Sequence, residues 1–292
     1  MTPSALAQRE LGASAQAIQS HYDVSNDFYA LWLDPSMTYS CALWEGAESL
    51  EEAQHQKIDY HTEQAGAAHA ARVLDIGCGW GAALDRLVNV HHVRKAVGLT
   101  LSQAQFDWIR ERRDDRIEVA LMSWKDHRPD EPYDAIISVG AFEHFASVGL
   151  TPSEKHQAYR DFFHWSHRHL RKDARLSLQT IVYENFNVAA GNAFVSEIFP
   201  ESDLPRLAEI VIASEGLFEI VRMRSDRQHY ARTLRAWYHA LRRSRQRIVQ
   251  RFGAPLYEKY ERYLGIFIVG FHTGTVNLSR LTLRKIESPA TA

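Results

Sequence analysis

The chain has 292 residues, 45% hydrophobic and 24% charged, with a formal charge of −2. That is long enough to bury a sizeable core without staples, and the near-neutral balance excludes a general electrostatic attraction to nucleic acid or anionic membranes. Its two cysteines, Cys41 and Cys78, exclude a disulfide framework and have no metal-ligand spacing with each other or with histidine.

The N-terminal "MTPSALAQRELGASAQAIQSHY" lacks the basic-then-apolar order of a secretory signal. No run approaches the roughly 18 apolar residues of a membrane span, so a soluble, cytoplasmic protein is expected. Residues 4–20 carry alanine, glutamine and leucine at loose helical spacing, and Ser49 followed by Glu52 is the capping-box arrangement of a helix start. Residues 1–70 therefore read as a helical cover. Short apolar runs then alternate with polar helical stretches: "RVLDIG", "KAVGLT", "IEVAL", "YDAIISVG" and "ARLSLQTIVY". Such alternation predicts parallel strands joined by helices. From 184 to 205 the text is irregular and reads as an insertion over one end of the sheet. A helix from Leu204 to about Glu215 leads into the strand "LFEIVRMR", two more helices occupy 230–273, and "TVNLSRLTLRKI" is the last strand. Residues 71–292 thus read as one α/β core carrying covering insertions at 184–205 and 230–273.

The stretch "RVLDIGCGWGAALDRL" places Gly77, Gly79 and Gly81 between the first strand and a helix. In open parallel sheets ligands sit beyond the carboxyl ends of the strands, where glycine lets backbone bend and approach closely. The G-x-G-x-G spacing differs from the dinucleotide fingerprint and favours a compact nucleoside ligand without pyrophosphate. Asp75 suits a positively charged amino-acid portion, as in S-adenosylmethionine, and equally suits a capping role. At the second strand end, where a carboxylate often accepts ribose hydroxyls, "VGLTLSQAQ" offers Thr100 and Gln105 instead; a strand end with a helix cap at Ser102 explains the same residues.

Five motifs in order, "HYDVSNDFYALWLDPSMTYSCALW", "VLDIGCGWG", "GLTLSQAQ", "SVGAFEHFA" and "HYARTLRAW", resemble the cyclopropane fatty acid synthase family, including the mycolic acid cyclopropane synthases, from about His21 to Lys285. The resemblance implies a class I, Rossmann-like methyltransferase: a seven-stranded, mostly parallel sheet with helices on both faces and S-adenosylmethionine in the first-turn cleft. Carried over, Tyr39 and Ser40 touch the methionine end, Gly77 and Gly79 the cofactor backbone, Thr100 and Gln105 the ribose side, and Trp124 the adenine. Ser123 and Val139 complete the cofactor set with Asp75. In extent the chain is closer to the mycolic acid branch.

A sulfonium methyl is already electrophilic, so the protein's task is alignment and exclusion of water. Transfer to an alkene leaves a carbocation, which aromatic faces stabilise; Trp32, Trp44, Phe142, Phe145, Tyr183, Phe194 and Phe199 are the candidates. For the base, the resemblance implies a bicarbonate held by Cys41, Glu143, Tyr230 and a histidine of the fifth strand. Gln179 stands at that histidine's position, which removes a group able to carry charge near neutral pH. Two further departures are Lys125, in place of an acidic partner for the adenine amino group, and "FPESDLP", in place of a glycine-rich turn. Catalytic candidates are accordingly Glu143, Tyr230, Cys41, His144 and Gln179, although "FEHF" also fits a capping glutamate and a histidine satisfying a buried carbonyl. The function expected is methyl transfer to an alkene or aromatic carbon of a small metabolite. Cyclopropanation of an unsaturated acyl chain, N-methylation, and non-catalytic binding of S-adenosylmethionine are the alternatives.

Seven arginines and no acid lie between Tyr230 and Phe252. Leu234, Trp237, Leu241, Ile248 and Phe252 describe a helix packed on a core with a basic outer face, a reading favoured over contact with a membrane surface. His164 and His167 share a helix face, but no carboxylate or cysteine completes a ligand set, so no metal is expected.

Overall fold

In the computed structural model, which describes residues 11–185 and 201–287, seven strands form one sheet in the order β3-β2-β1-β4-β5-β7-β6. They are β1 (Arg72–Ile76), β2 (Lys95–Thr100), β3 (Ile117–Leu121), β4 (Tyr133–Val139), β5 (Leu170–Tyr183), β6 (Phe218–Ser225) and β7 (Val276–Lys285). β1 pairs in parallel with β2 and β4, β3 with β2, and β5 with β4; β7 runs antiparallel between β5 and β6. The apolar runs named above became strands, and in β1, β2 and β4 the side chains serve both faces. Val73, Ala96, Ala135 and Ile137 pack on one side, against Leu84 and Leu87 of α4 (Ala82–Asn89). Leu74, Val97 and Ile136 pack on the other, against Phe162 and Phe163 of α6 (Pro152–His169). Continuous apolar strands are what a sheet covered on both faces requires.

Between β1 and β4 the chain order reverses, which opens the crevice where such sheets bind ligands. Four elements approach it from the N-terminal side and between strands: α1 (Ala15–Tyr22), α2 (Asn26–Ala30), α3 (Leu50–Ala65) and α5 (Gln103–Arg110). Ser49 and Glu52 form the expected capping box at the start of α3. The uniform helical reading of residues 1–70 fails at 31–49, which is loop. Its bonds come from side chains: Asp34, within the loop, accepts the Ser36 and Thr38 N–H groups, while the Gln54 amide of α3 donates to the carbonyls of Thr38 and Ser40.

The helix predicted from Leu204 is α7 (Leu207–Ser214). Beyond β6 the two predicted helices are three: α8 (Arg227–Arg243), α9 (Arg245–Phe252) and α10 (Ala254–Thr273), with the break at Ser244. Leu234, Trp237, Leu241 and Ile248 are buried in a core shared with Phe28, Tyr29, Trp32, Tyr260 and Tyr263. The arginines of this stretch lie outside that core, as a packed helix with a basic outer face demands. No helix among the described residues is long and apolar enough to cross a membrane.

Candidate active site

A cavity of about 440 Å³ opens at the β1–β4 crevice, walled by the glycine turn, the ends of β2 and β4, loop 37–40 and parts of α1 and α3. Gly77, Gly79 and Gly81 all have positive φ (82°, 54° and 83°). A Cβ on Gly77 would lie 2.5 Å from that of Ala141, whereas one on Gly79 would meet nothing within 4 Å, so bare backbone faces the cavity there. The turn is pinned by the Leu99 carbonyl, which accepts both the Gly77 and Cys78 N–H groups at 2.9 and 3.0 Å.

Thr100 and Gln105 also line the cavity. The Thr100 hydroxyl donates to Gln105 Oε1 at 2.7 Å, and Ser102 caps α5 by accepting the Gln105 N–H at 3.2 Å. The cap and the cavity wall are thus built from the same residues. Trp124, Ser123 and Val139 line the same space; the Trp124 ring packs edge-on against Phe162, and Lys125 Nζ stands 5.7 Å over its face.

Tyr39, Ser40 and Asp75 form the other end. Asp75 is buried and pushed up to about 7 by that burial, against the pull of Lys57. Ser40 Oγ accepts a hydrogen bond from Lys57 Nζ at 2.8 Å. Lys57 is one of five buried polar residues on α3, and with Gln54, His61 and Gln64 it forms a row. Their spacing of three, four and three places them on one helix face, so α3 turns a polar stripe inward. That spacing was readable in "EEAQHQKIDYHTEQ", and sequence reasoning passed over it.

Glu143 sits on the short helical turn Phe142–His144 after β4, buried, with Oε1 accepting the Ile181 N–H at 2.6 Å. Its Oε2 has no hydrogen-bond partner among the described residues, and burial pushes the carboxyl up to about 7. It stands just behind the cavity wall, close enough to raise the pKa of the Tyr22 phenol further, after burial itself. His144 lines the cavity, meets Ser202 Oγ at 2.6 Å and the Tyr22 hydroxyl at 3.4 Å, and is pushed down to about 4 by burial. A neutral imidazole at pH 7 bridges these hydroxyls; it carries no charge there.

Cys41 and Gln179 lie away from the cavity wall, in a buried network with residues that sequence reasoning missed. Gln179 Oε1 accepts from Arg280 Nε at 2.8 Å and faces His61 Nε2 at 3.2 Å, while its Nε2 donates to the Cys41 carbonyl at 3.4 Å. Arg280, fully buried, also pairs with Asp226 and donates to the Cys41 and Ala42 carbonyls. These contacts decide whether a bicarbonate fits. Both ends of the Gln179 amide are engaged, the Cys41 thiol donates to the Ala42 carbonyl and is pushed up to about 12, and an ionisable Glu143 stands nearby. Of the four side chains, the Tyr230 phenol alone is left to donate among the described residues, too few groups for an anion beside a carboxyl. The residues do not fit bicarbonate.

Aromatic rings also bound the cavity. Tyr22, Tyr39 and Phe145 line it; behind Tyr39 stand Trp32 and Trp237, with ring centres 5.3 and 5.2 Å away. The Tyr39 hydroxyl donates to that of Tyr263 at 3.2 Å, and Tyr29 and Tyr260 share a bond of 2.8 Å. Phe142 and Trp44 belong elsewhere: Phe142 stacks on Tyr159, and the Trp44 indole donates to Thr233. Tyr183 also packs away from the cavity, while Phe194 and Phe199 lie outside the described residues. His167 is held by the Ile286 carbonyl, and no cluster of metal-binding groups occurs among the described residues.

A profile of the family described as mycolic acid cyclopropane synthetase matches residues 9–281. The chain belongs to this family. Among its relatives, cyclopropane mycolic acid synthase 3 of Mycobacterium tuberculosis is 36% identical, with 92% of this chain and 96% of that protein covered. The structure of the cyclopropane synthase MmaA2 from M. tuberculosis aligns with a TM-score of 0.85 at 34% identity, over 94% of this chain and all of that one. Mycolic acid cyclopropane synthase CmaA1, complexed with SAH and CTAB, aligns with the same TM-score at 33% identity and the same coverage. The resemblance, the class I methyltransferase fold and the enzyme class expected from sequence therefore hold. As a member of the cyclopropane synthetase family the chain is an S-adenosylmethionine-dependent methyltransferase. Its own residues fit the cofactor: bare glycine backbone at Gly79, hydroxyl and amide at Thr100 and Gln105, an aromatic wall at Trp124 and an ionisable pair at Asp75 and Lys57. When bound, S-adenosylmethionine supplies an activated methyl group.

Proposed function

We propose that this enzyme methylates an electron-rich carbon, in an alkene or aromatic ring, of a compact apolar acceptor, and that Glu143 takes the proton from the resulting cation. The observation that carries this reading is the Glu143 carboxyl, buried, held at one oxygen by the Ile181 N–H and free of hydrogen bonds at the other among the described residues. A catalytic base works best with a pKa near the working pH, and burial brings Glu143 to about 7. Tyr22, Tyr39 and Phe145 offer ring faces and edges to a positive carbon. Tyr39 is backed by Trp32 and Trp237 at contact distance, which limits depth there and supports a compact acceptor. We assign the acceptor-side cover to residues 11–70 and 230–273; residues 1–10, and 186–200 of the insertion expected at 184–205, lie outside the described residues.

Loss of a proton from the transferred methyl closes a cyclopropane; loss from a neighbouring carbon leaves a methylated alkene. The relatives named as cyclopropane mycolic acid synthases favour a second reading, ring closure on an unsaturated acyl chain. Incubation with methyl-labelled cofactor and a panel of isoprenoids, indoles and unsaturated lipids separates the two. Labelled isoprenoid or indole products are expected. Label confined to acyl chains would replace the first reading with the second, and NMR of either product distinguishes ring from methyl.

A further inference from the structure

Two buried groups of opposite charge face the methionine end of the cavity without being spent on each other. The Asp75 carboxyl, at the end of β1, makes no side-chain hydrogen bond among the described residues, and burial and Lys57 are the influences upon it. The Lys57 ammonium, on α3, is 3% exposed and has Ser40 Oγ as its hydrogen-bond partner at 2.8 Å. An ammonium only donates, so Ser40 Oγ must accept here, and the Ser40 hydroxyl hydrogen is turned away from Lys57. Both residues line the cavity. Two Lys57 hydrogens and one Ser40 hydrogen thus remain to be accepted.

We propose that Lys57, together with the Ser40 hydroxyl it orients, recognises the carboxylate of the cofactor's amino-acid portion, opposite Asp75, which receives the ammonium. The inference rests on S-adenosylmethionine as cofactor and adds to it a residue that no motif carried. A zwitterion brings one charge of each sign, and a buried site of matched polarity binds it at lower desolvation cost than two unpaired groups would impose. The surroundings keep Lys57 usable. Burial, and Arg280 after it, push Lys57 down to about 8 against the support of Asp34 and Asp75, so the ammonium is still charged at pH 7. Gln54, one turn before Lys57, holds the Ser40 carbonyl at 2.9 Å, so the loop carrying the hydroxyl is fixed from the same helix.

Calorimetric titration with S-adenosylmethionine and with its decarboxylated form, which lacks only the carboxylate, tests this on the full chain. In Lys57→Met the affinity for S-adenosylmethionine should fall about tenfold or more, while that for the decarboxylated form stays within about twofold. Ser40→Ala should show the same selectivity, and the double variant should lose less than the product of the two single losses. Should Lys57→Met fail to fold, Ser40→Ala carries the comparison. Equal losses for both cofactors would mean a packing role and overturn the inference, as would unchanged affinity for S-adenosylmethionine. Failure of the unmodified protein to bind either form would instead strike the cofactor assignment, and the inference with it.

Discussion

Glu143 and Asp75 are two carboxyls moved by burial to about 7 from ordinary values of 4.5 and 3.8, and the same shift has opposite meanings for turnover and for stability. As a base, Glu143 must be ionised, so turnover should rise with pH and level off above about 7. Glu143→Gln removes the acceptor while keeping size, and should lower single-turnover rates by about 10²-fold or more with SAH affinity unchanged; a fully active variant would remove Glu143 from the mechanism. For stability, the folded state holds both protons more tightly than the unfolded chain does. The stabilisation is complete below the ordinary values and is lost as pH rises through about 7. Thermal melts of the cofactor-free protein should therefore shift downwards across that window, and Glu143→Gln should flatten the dependence. The sequence identified Glu143 and Gln179 as the points of interest but not their partners. Their neighbours Ile181, His61 and Arg280 come from three different elements, and no local pattern announces contacts between residues 38, 118 and 101 positions apart.

At the scale of elements, the central strands were legible because each is a short, continuous apolar run serving both faces of one sheet, a signal that is local. Loop 31–49 was not, because Asp34 and Gln54 supply its hydrogen bonds and neither has a periodic signature. α3 falls between these cases. Its capping box was read correctly, while its inward polar stripe was hidden by the rule that buried helix faces are apolar. Removing the cap with Ser49→Ala should cost about 1 kcal/mol in urea unfolding, with little effect on cofactor affinity, since the cap is exposed and remote from the cavity. Gly77→Ala should behave in the opposite way. At φ +82° a side chain adds about 1–2 kcal/mol of backbone strain, and its Cβ would lie 2.5 Å from that of Ala141, so the turn must shift. Loss of SAH binding in calorimetry, exceeding the loss of stability, is the expected result.

The whole molecule is tied together behind the site by one buried ion pair. Arg280 on β7 is wholly buried and reaches Asp226 at the entry to α8, Gln179 on β5 and the carbonyls of Cys41 and Ala42. Through these contacts the sheet, the α8–α10 cover and the loop bearing Tyr39 and Ser40 share one charge. Asp226 has a second cation, Arg224, at 2.7 Å, and Arg224 itself is partly open to solvent. Arg280 has no second anion among the described residues. The two deletions are therefore unequal. Asp226→Asn strands a guanidinium in the core and should cost about 3–5 kcal/mol, the range for breaking a buried pair. Arg280→Met leaves Asp226 paired with Arg224 and fills the space with an apolar chain, so its stability loss should be the smaller. Its effect on loop 39–42 should nevertheless appear as weaker SAH binding, because the Cys41 and Ala42 carbonyls each lose one of their two donors. Urea unfolding and calorimetry on both variants decide the point: equal losses, or a larger one for Arg280→Met, would mean that Arg224 does not share the charge of Asp226.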